Sequence, residues 1–210
     1  MANLEDIKAR VIFLLGDDPD EGDSSYTDDL LLDAVRAAHD AILPYVWKPA
    51  TTALAADTST FTLPSDLYEI QAVWNASAGH FIDPAILTPG EPSASDTGNA
   101  WFEYPSGTLN LYNAIGSSGG TLYYAATWSK PTIDADVLEV PEYALTGLTY
   151  YAASYATLYK ASSAARLGNY KTRQDSGTPE DNPLLTYSTF LLKRFEYEMA
   201  RMPKITKGMR

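Results

Sequence analysis

The sequence predicts an α+β protein: a four-helix bundle-like helical core, a small antiparallel β-sheet or sandwich inserted between the second and third helices, and an extended C-terminal tail. Three observations carry this expectation. Apolar residues recur at steps of three and four before residue 49 and again between 134 and 202. From 50 to 133 the pattern changes to short alternating runs broken by Gly, Pro and Asn, which is how strands and tight turns are written. Beyond Pro203 the periodicity stops and basic residues dominate. The expected organisation is therefore a helical core from 1–49 and 134–202, a β region at 50–133 and a tail at 203–210. No internal repeat is present.

The first helix opens at Asn3, a suitable cap, with Glu5 and Asp6 in its first turn and Leu4, Ile7, Val11 and Leu14/Leu15 as its apolar face; Gly16 ends it. Asp17-Asp18-Pro19-Asp20-Glu21-Gly22-Asp23 follows, an acidic turn that invites a calcium reading. An EF-hand loop with Gly22 in its sixth place would put Pro19 where an oxygen ligand is needed, and Asp28 where glutamate is needed. A solvated loop is the expectation. Thr27 caps the second helix, whose stripe is Leu31, Val35, Ala38, Ile42 and Tyr45, with Pro44 and Pro49 ending it.

In the β region, 58–63 alternates and stops at Pro64-Ser65-Asp66, and 67–74 follows with Ile70, Val73 and Trp74. The Pro- and Gly-rich stretch 84–99 is long for a routine connection and reads as a docking loop. Strands are expected at 100–104, 108–112 and 121–128, with a turn at Gly116-Ser117-Ser118-Gly119-Gly120. The third helix starts with Pro141 in its first position and Glu142 next to it. Ala144, Leu148, Tyr151, Tyr155 and Leu158 form its predicted core face, and Gly168 its stop. Gly147, Ala152, Ala153, Ser154 and Ala156 keep the rest small enough for another backbone to come close. Its tyrosines, Tyr143, Tyr150, Tyr155 and Tyr159, pair an apolar body with a polar tip, which suits a subunit contact. After a polar loop at 170–181, Asn182 and Pro183 begin a fourth helix with Leu184, Ser188, Leu191, Phe195, Met199 and Met202 as its stripe.

The totals limit what such a chain does. Its 210 residues, 45% hydrophobic and 12% aromatic, suffice for a core. It has no cysteine, which removes disulfides, thiolate nucleophiles and cysteine metal sites. No apolar run reaches a membrane span and the first ten residues lack a signal peptide's apolar region, so the expectation is a soluble cytoplasmic product. A formal charge of −12 disfavours a protein that grips nucleic acid by its phosphates. That charge is uneven: near the end Lys193, Arg194, Arg201, Lys204, Lys207 and Arg210 outnumber Glu196 and Glu198, a basic tail on an acidic body.

No catalytic motif appears. There is no G-x-G-x-x-G, no phosphate-binding loop with its lysine and no G-x-S-x-G elbow; the glycines at 116–120 have neither a lysine nor a following helix. His39 and His80 are too few and too far apart for a metal site. Paired carboxylates among 27 acids carry no information. No enzyme activity, metal or cofactor is expected. Trp74, Trp101, Tyr104, Tyr123, Tyr124 and Trp128 could make a sugar-binding platform, although a sheet core explains them more simply.

Three stretches carry a family resemblance: Phe61-Thr62-Leu63-Pro64-Ser65-Asp66-Leu67-Tyr68-Glu69-Ile70; Thr121-Leu122-Tyr123-Tyr124-Ala125-Ala126 running through Asp136 to Val140-Pro141-Glu142-Tyr143; and the Tyr/Ala-rich helix after it. Together with the helix–helix–β–helix–helix order, they resemble the head-to-tail adaptor (connector, head-completion) proteins of tailed bacteriophages. That resemblance implies a virion structural protein at the capsid–tail junction, made in the host bacterial cytoplasm. It implies a homo-oligomeric ring, usually of twelve copies, bound to the portal protein and to a tail, stopper or tail-completion protein. DNA would pass through the channel without specific binding, and no membrane would be involved. It also implies portal contacts from the C-terminal segment (Arg201, Met202, Pro203, Lys204, Ile205, Lys207, Met209 and Arg210). Tail-side contacts would come from the β region, with Pro89, Glu91 and Trp101 as loop candidates. An acidic wall repels phosphate, and a rotational ring needs two different complementary faces on each subunit. The tyrosine-bearing third helix and the acidic second helix are the candidates for those faces. The competing expectation is a carbohydrate-binding or other tail-associated β-module; a weaker one is a glycan hydrolase.

Overall fold

The computed structural model describes residues 2–16, 26–84, 100–104, 107–111, 113–166 and 183–202. Among them the protein is α+β, with four helices and a small sheet. The chain divides into two compact units, Met1–Val46 with Trp128–Ile205, and a unit built on Trp47–Thr127.

The helical unit contains α1 (Leu4–Leu14), α2 (Asp28–Ile42), α3 (Glu142–Arg166) and α4 (Pro183–Ala200). Asn3 and Asp6 make a reciprocal capping box at the start of α1, and Gly16, at φ 78°, takes the left-handed position after it. Thr27 caps α2 through the Leu30 amide. The N-terminal residues are laced to the segment leading into α3: the Leu4 amide donates to Asp136 O, the Leu138 amide to Ala2 O, and Asn3 bridges Val137. Asp136 braces that segment by accepting from the Thr132 amide and hydroxyl and from the Ile133 amide, which hold its carboxyl below the usual carboxylate range. Lys8, buried, donates at 2.7 Å to both Asp28 and Asp134. Burial by itself would lower its pKa, but the two carboxylates outweigh that and raise it.

α3 is the centre of this unit and packs against α4, α2 and α1. It starts one residue after the position expected from Pro141, whose carbonyl accepts from the Ala144 amide. Its buried positions are Ala144, Leu145, Gly147, Leu148, Thr149, Ala152, Ala153, Ser154, Ala156, Thr157 and Ala161, which lie nearly all round the helix. The predicted stripe therefore fails in its second half: Tyr155 and Leu158 are exposed, because small residues occupy the inward side there and let the neighbouring helices come close. The Ser154 and Ser188 hydroxyls each donate to the other's carbonyl at 2.9 Å, tying α3 to α4 with both side chains buried. At Gly147 an added Cβ would collide with the Met199 side chain of α4. α4 follows the predicted period, with Ser188, Leu191, Phe195 and Met199 buried. Tyr45 lies beyond the end of α2, so the helical period no longer governs it; it is partly exposed, edge-on to Phe195.

The second unit is a seven-stranded sheet: β1 (Lys48–Leu54), β2 (Thr60–Thr62), β3 (Leu67–Asn75), β4 (His80–Pro84), β5 (Ala100–Tyr104), β6 (Thr108–Leu111) and β7 (Gly120–Ala126), in the order β1-β7-β3-β4-β5-β6-β2. Every pair is antiparallel except β4–β5. Two of these strands go beyond the sequence reading. β1 holds Pro49, read there as a helix terminator; the proline is tolerated because β1 is an edge strand. β4 shares only a three-residue ladder with β3, and its adjacent apolar residues Phe81 and Ile82 show no alternation. The core is Leu54, Ile70, Val73, Ile82, Leu109, Leu111, Ile115, Leu122, Tyr124 and Ala126. The glycine turn before β7 is required by packing: Gly119 has φ 67°, and a Cβ on Gly120 would strike Trp74 O and the Ile115 side chain. Among the described residues no helix is long and apolar enough to cross a membrane.

Candidate functional site

Among the described residues no group of three or more His, Cys, Asp or Glu side chains is placed to hold a metal ion. His39, one position off the α2 stripe, is 1% exposed, and neither ring nitrogen has a hydrogen-bond partner among the described residues. Burial pushes its pKa down to about 4; Asp40 opposes that shift and Lys130 adds to it. The ring is neutral at pH 7 and enclosed by core side chains, so it is neither presented to a substrate nor set to exchange protons with one.

What the helical unit does present is apolar surface. On α3, Tyr143, Tyr155, Leu158 and Tyr159 are exposed, Tyr159 by 55%. Three of the four tyrosines predicted as subunit contacts therefore reach solvent. The fourth, Tyr150, is half-buried and lines an apolar groove of about 430 Å³ with Thr146 and Thr149 of α3 and Ala9, Arg10, Phe13 and Leu14 of α1. Phe13 projects from this groove, 75% exposed. Tyr187 of α4 closes toward the same end of α1, donating its hydroxyl to Leu14 O.

α4 adds surface that sequence reasoning missed. Tyr187, Phe190 and Tyr197 are exposed, as are Lys193, Arg194 and Arg201. The Tyr187 and Phe190 rings stack at 6.2 Å, Arg194 sits 5.4 Å over Phe190, and Arg201 sits 5.4 Å over Tyr197. The signal was present in the sequence as the complement of the core stripe, at the same three-and-four spacing. Of the C-terminal candidates, Arg201 is exposed and Met202 packs partly against the helical core, while residues 203–210 lie outside the described residues. Pro89 and Glu91 also lie outside them. Trp101 is placed only through its backbone in β5, opposite Leu111.

Of the expected aromatic platform, the side chains of Trp101 and Tyr104 lie outside the described residues, and Tyr124 and Trp128 do not join it. Tyr124 is in the sheet core with its hydroxyl on Asp66, and burial raises its pKa, the hydrogen bond adding to that. Trp128 is buried in the helical unit, donating its indole N–H to Val46 O at 3.0 Å. Among the described residues of this unit Trp74, Phe81 and Tyr123 cluster, contributed by β3, β4 and β7: Phe81 lies edge-on to Trp74 at 4.9 Å and to Tyr123 at 6.1 Å. Phe81 and Tyr123 are exposed and Trp74 half-buried. Phe81 goes beyond the sequence expectation, because its neighbour Ile82 is also apolar and β4 shows no alternation.

No curated protein matches the chain. A family model does: residues 2–181 match the one described as SU10 adaptor protein. That span takes in α1 to α3 and every strand of the sheet, and with it all three stretches that resemble phage head-to-tail adaptors. The chain belongs to the SU10 adaptor protein family, a family of phage structural proteins.

Proposed function

We propose that this chain is a non-catalytic subunit of a dodecameric ring that joins the capsid portal to the tail and extends the DNA channel. The observation that carries the reading is the match of residues 2–181 to the SU10 adaptor family. Two physical features support it. The helical unit exposes large apolar side chains on α3 and α4, the kind of surface that association covers. The net charge of −12 suits a wall along which DNA slides without sticking.

In this reading residues 1–49 and 134–202 are the adaptor core, 50–133 the inserted region that faces the tail or stopper protein, and 203–210 the tail that reaches the portal. Pro203, Lys204, Ile205, Lys207, Met209 and Arg210 make the portal contact, with Arg201 and Met202 leading into it. Tyr143, Tyr150, Tyr155 and Tyr159 contribute to contacts between copies, and the segment with Pro89, Glu91 and Trp101 to the tail side. The test is light scattering of the purified chain, alone and with purified portal. A ring-sized increment of mass on the portal, lost when 203–210 are deleted, is the expected result. A chain that stays monomeric and ignores the portal overturns the reading.

The cluster of exposed Phe81 and Tyr123 with half-buried Trp74 favours one other reading, a glycan-binding tail component, since aromatic faces stack on sugar rings. Glycan-array binding that disappears in Phe81→Ala would select it.

A further inference from the structure

The unburied side of α4 is organised as a docking stripe. Tyr187, Phe190, Arg194 and Tyr197 follow one another at steps of three, four and three, all exposed, with Arg201 one further step along. The stacked Tyr187–Phe190 pair and the two guanidinium groups over Phe190 and Tyr197 hold these side chains together before any partner arrives. Such ordering reduces the entropy lost on binding, and tyrosine and arginine are the residues that most often anchor interfaces.

Charge selects the occupant. Arg194 and the neighbouring Lys193 make the stripe basic, and Glu198 beside it lies 4.0 Å from Arg201. Its complement is on the same chain. α2 exposes Asp28, Asp29, Asp33 and Asp40; Asp28 is engaged by Lys8 and Asp40 by Lys130, both at 2.7 Å. Asp29 and Asp33, one turn apart, extend this acidic surface, with Arg36 reaching Asp33 only at 4.0 Å while its Nε donates to Pro131 O. α2 and α4 both pack on α3, so each subunit carries a basic aromatic face and an acidic face on one rigid support. Two different complementary faces generate a head-to-tail series, which closes into a ring or runs on as a filament.

We propose that the Tyr187–Phe190–Arg194–Tyr197 stripe of one copy seats on the Asp29–Asp33 surface of α2 in a second copy. The contact rests on the ring reading above and names the faces that make it. Nucleic acid is the other class that aromatic and arginine side chains take, but the net charge of −12 opposes it.

The chain has no cysteine, so introduced cysteines are unique reporters. Phe190→Cys and Asp33→Cys are prepared separately with different tags, mixed, assembled on purified portal and oxidised. A disulfide joining the two populations, with neither cross-linking alone, is expected. Arg194→Glu, checked for native circular dichroism, is expected to weaken assembly at least tenfold, and adding Asp33→Arg to the same chain to restore it. A wild-type ring that forms while the cysteines stay unlinked and Arg194→Glu assembles normally overturns the contact and leaves the ring reading standing. A wild-type chain that never assembles, with or without portal, overturns both. Arg194→Glu losing affinity for duplex DNA instead of for its own kind also overturns the contact.

Discussion

In the helical unit the longest helix turns its small side chains inward and several of its largest outward: Gly147, Ala152, Ala153, Ser154 and Ala156 are buried, while Tyr143, Tyr155, Leu158 and Tyr159 face solvent. The β unit fills its interior with aliphatic bulk from Leu54, Ile70, Val73, Ile82, Leu109, Leu111, Ile115 and Leu122. The difference follows from geometry. Helices that meet at alanine, glycine and serine bring their backbones close, as the Ser154–Ser188 clasp and the contact at Gly147 do; of the large rings, Phe195 is buried there, edge-on to Tyr151 at 5.1 Å. Tyr143, Tyr155 and Tyr159 of α3 and Tyr187, Phe190 and Tyr197 of α4 lie on the outside. A sheet presents side chains perpendicular to its plane and needs long ones to fill its core.

That contrast can be broken by swapping side-chain size between the units. The largest effect is expected in the β unit from Leu122→Ala, which leaves a cavity among fully enclosed neighbours and costs about 3 to 4 kcal/mol in urea unfolding. Next comes acid. His39 has its folded pKa lowered from 6.5 to about 4, so the unfolded chain binds more protons between those values. Its contribution is fully present above pH 6.5 and falls away toward pH 4, a loss of about 3 kcal/mol. A stability–pH series on the wild type and His39→Leu checks this, the variant losing that part of the slope.

Adding bulk to the helical unit is the converse change. Ala153→Leu, at a fully buried position of α3, is expected to cost about 2 kcal/mol by overpacking, read from the same urea midpoints. The smallest effect is expected on the outside: Tyr159→Ser changes folding stability by less than about 0.5 kcal/mol. If it destabilises the isolated chain by more than 1 kcal/mol, by the same order of estimate, Tyr159 belongs to the core and the contrast between the two units fails.

Several elements were legible because their causes are local. Asn3 with Asp6 and Thr27 with the Leu30 amide mark their helix starts within three residues. The Ser188–Leu191–Phe195–Met199 stripe of α4 is a plain 3.6-residue period. The mixed polarity of Tyr143 and Tyr159 agrees with their exposure, whereas Tyr155, expected on the core face of α3, is exposed against that expectation. The α4 stripe was missed since attention to a core period leaves its complement unread. β1 and β4 are not legible because Pro49 interrupts β1 and the adjacent apolar pair Phe81–Ile82 breaks the alternation in β4.

By itself the sequence determined the caps and the helical stripe of α4, which depend on neighbours a few residues away, and the absence of cysteine chemistry, which is a matter of composition. Tertiary structure decided which side of α3 is inside, the pairing of β7 between β1 and β3, the enclosure of His39 and the gathering of Trp74, Phe81 and Tyr123. Each of these joins residues far apart in the chain. An alanine-rich helix carries no strong period to declare its inner face, and only the helices packed round it make that choice.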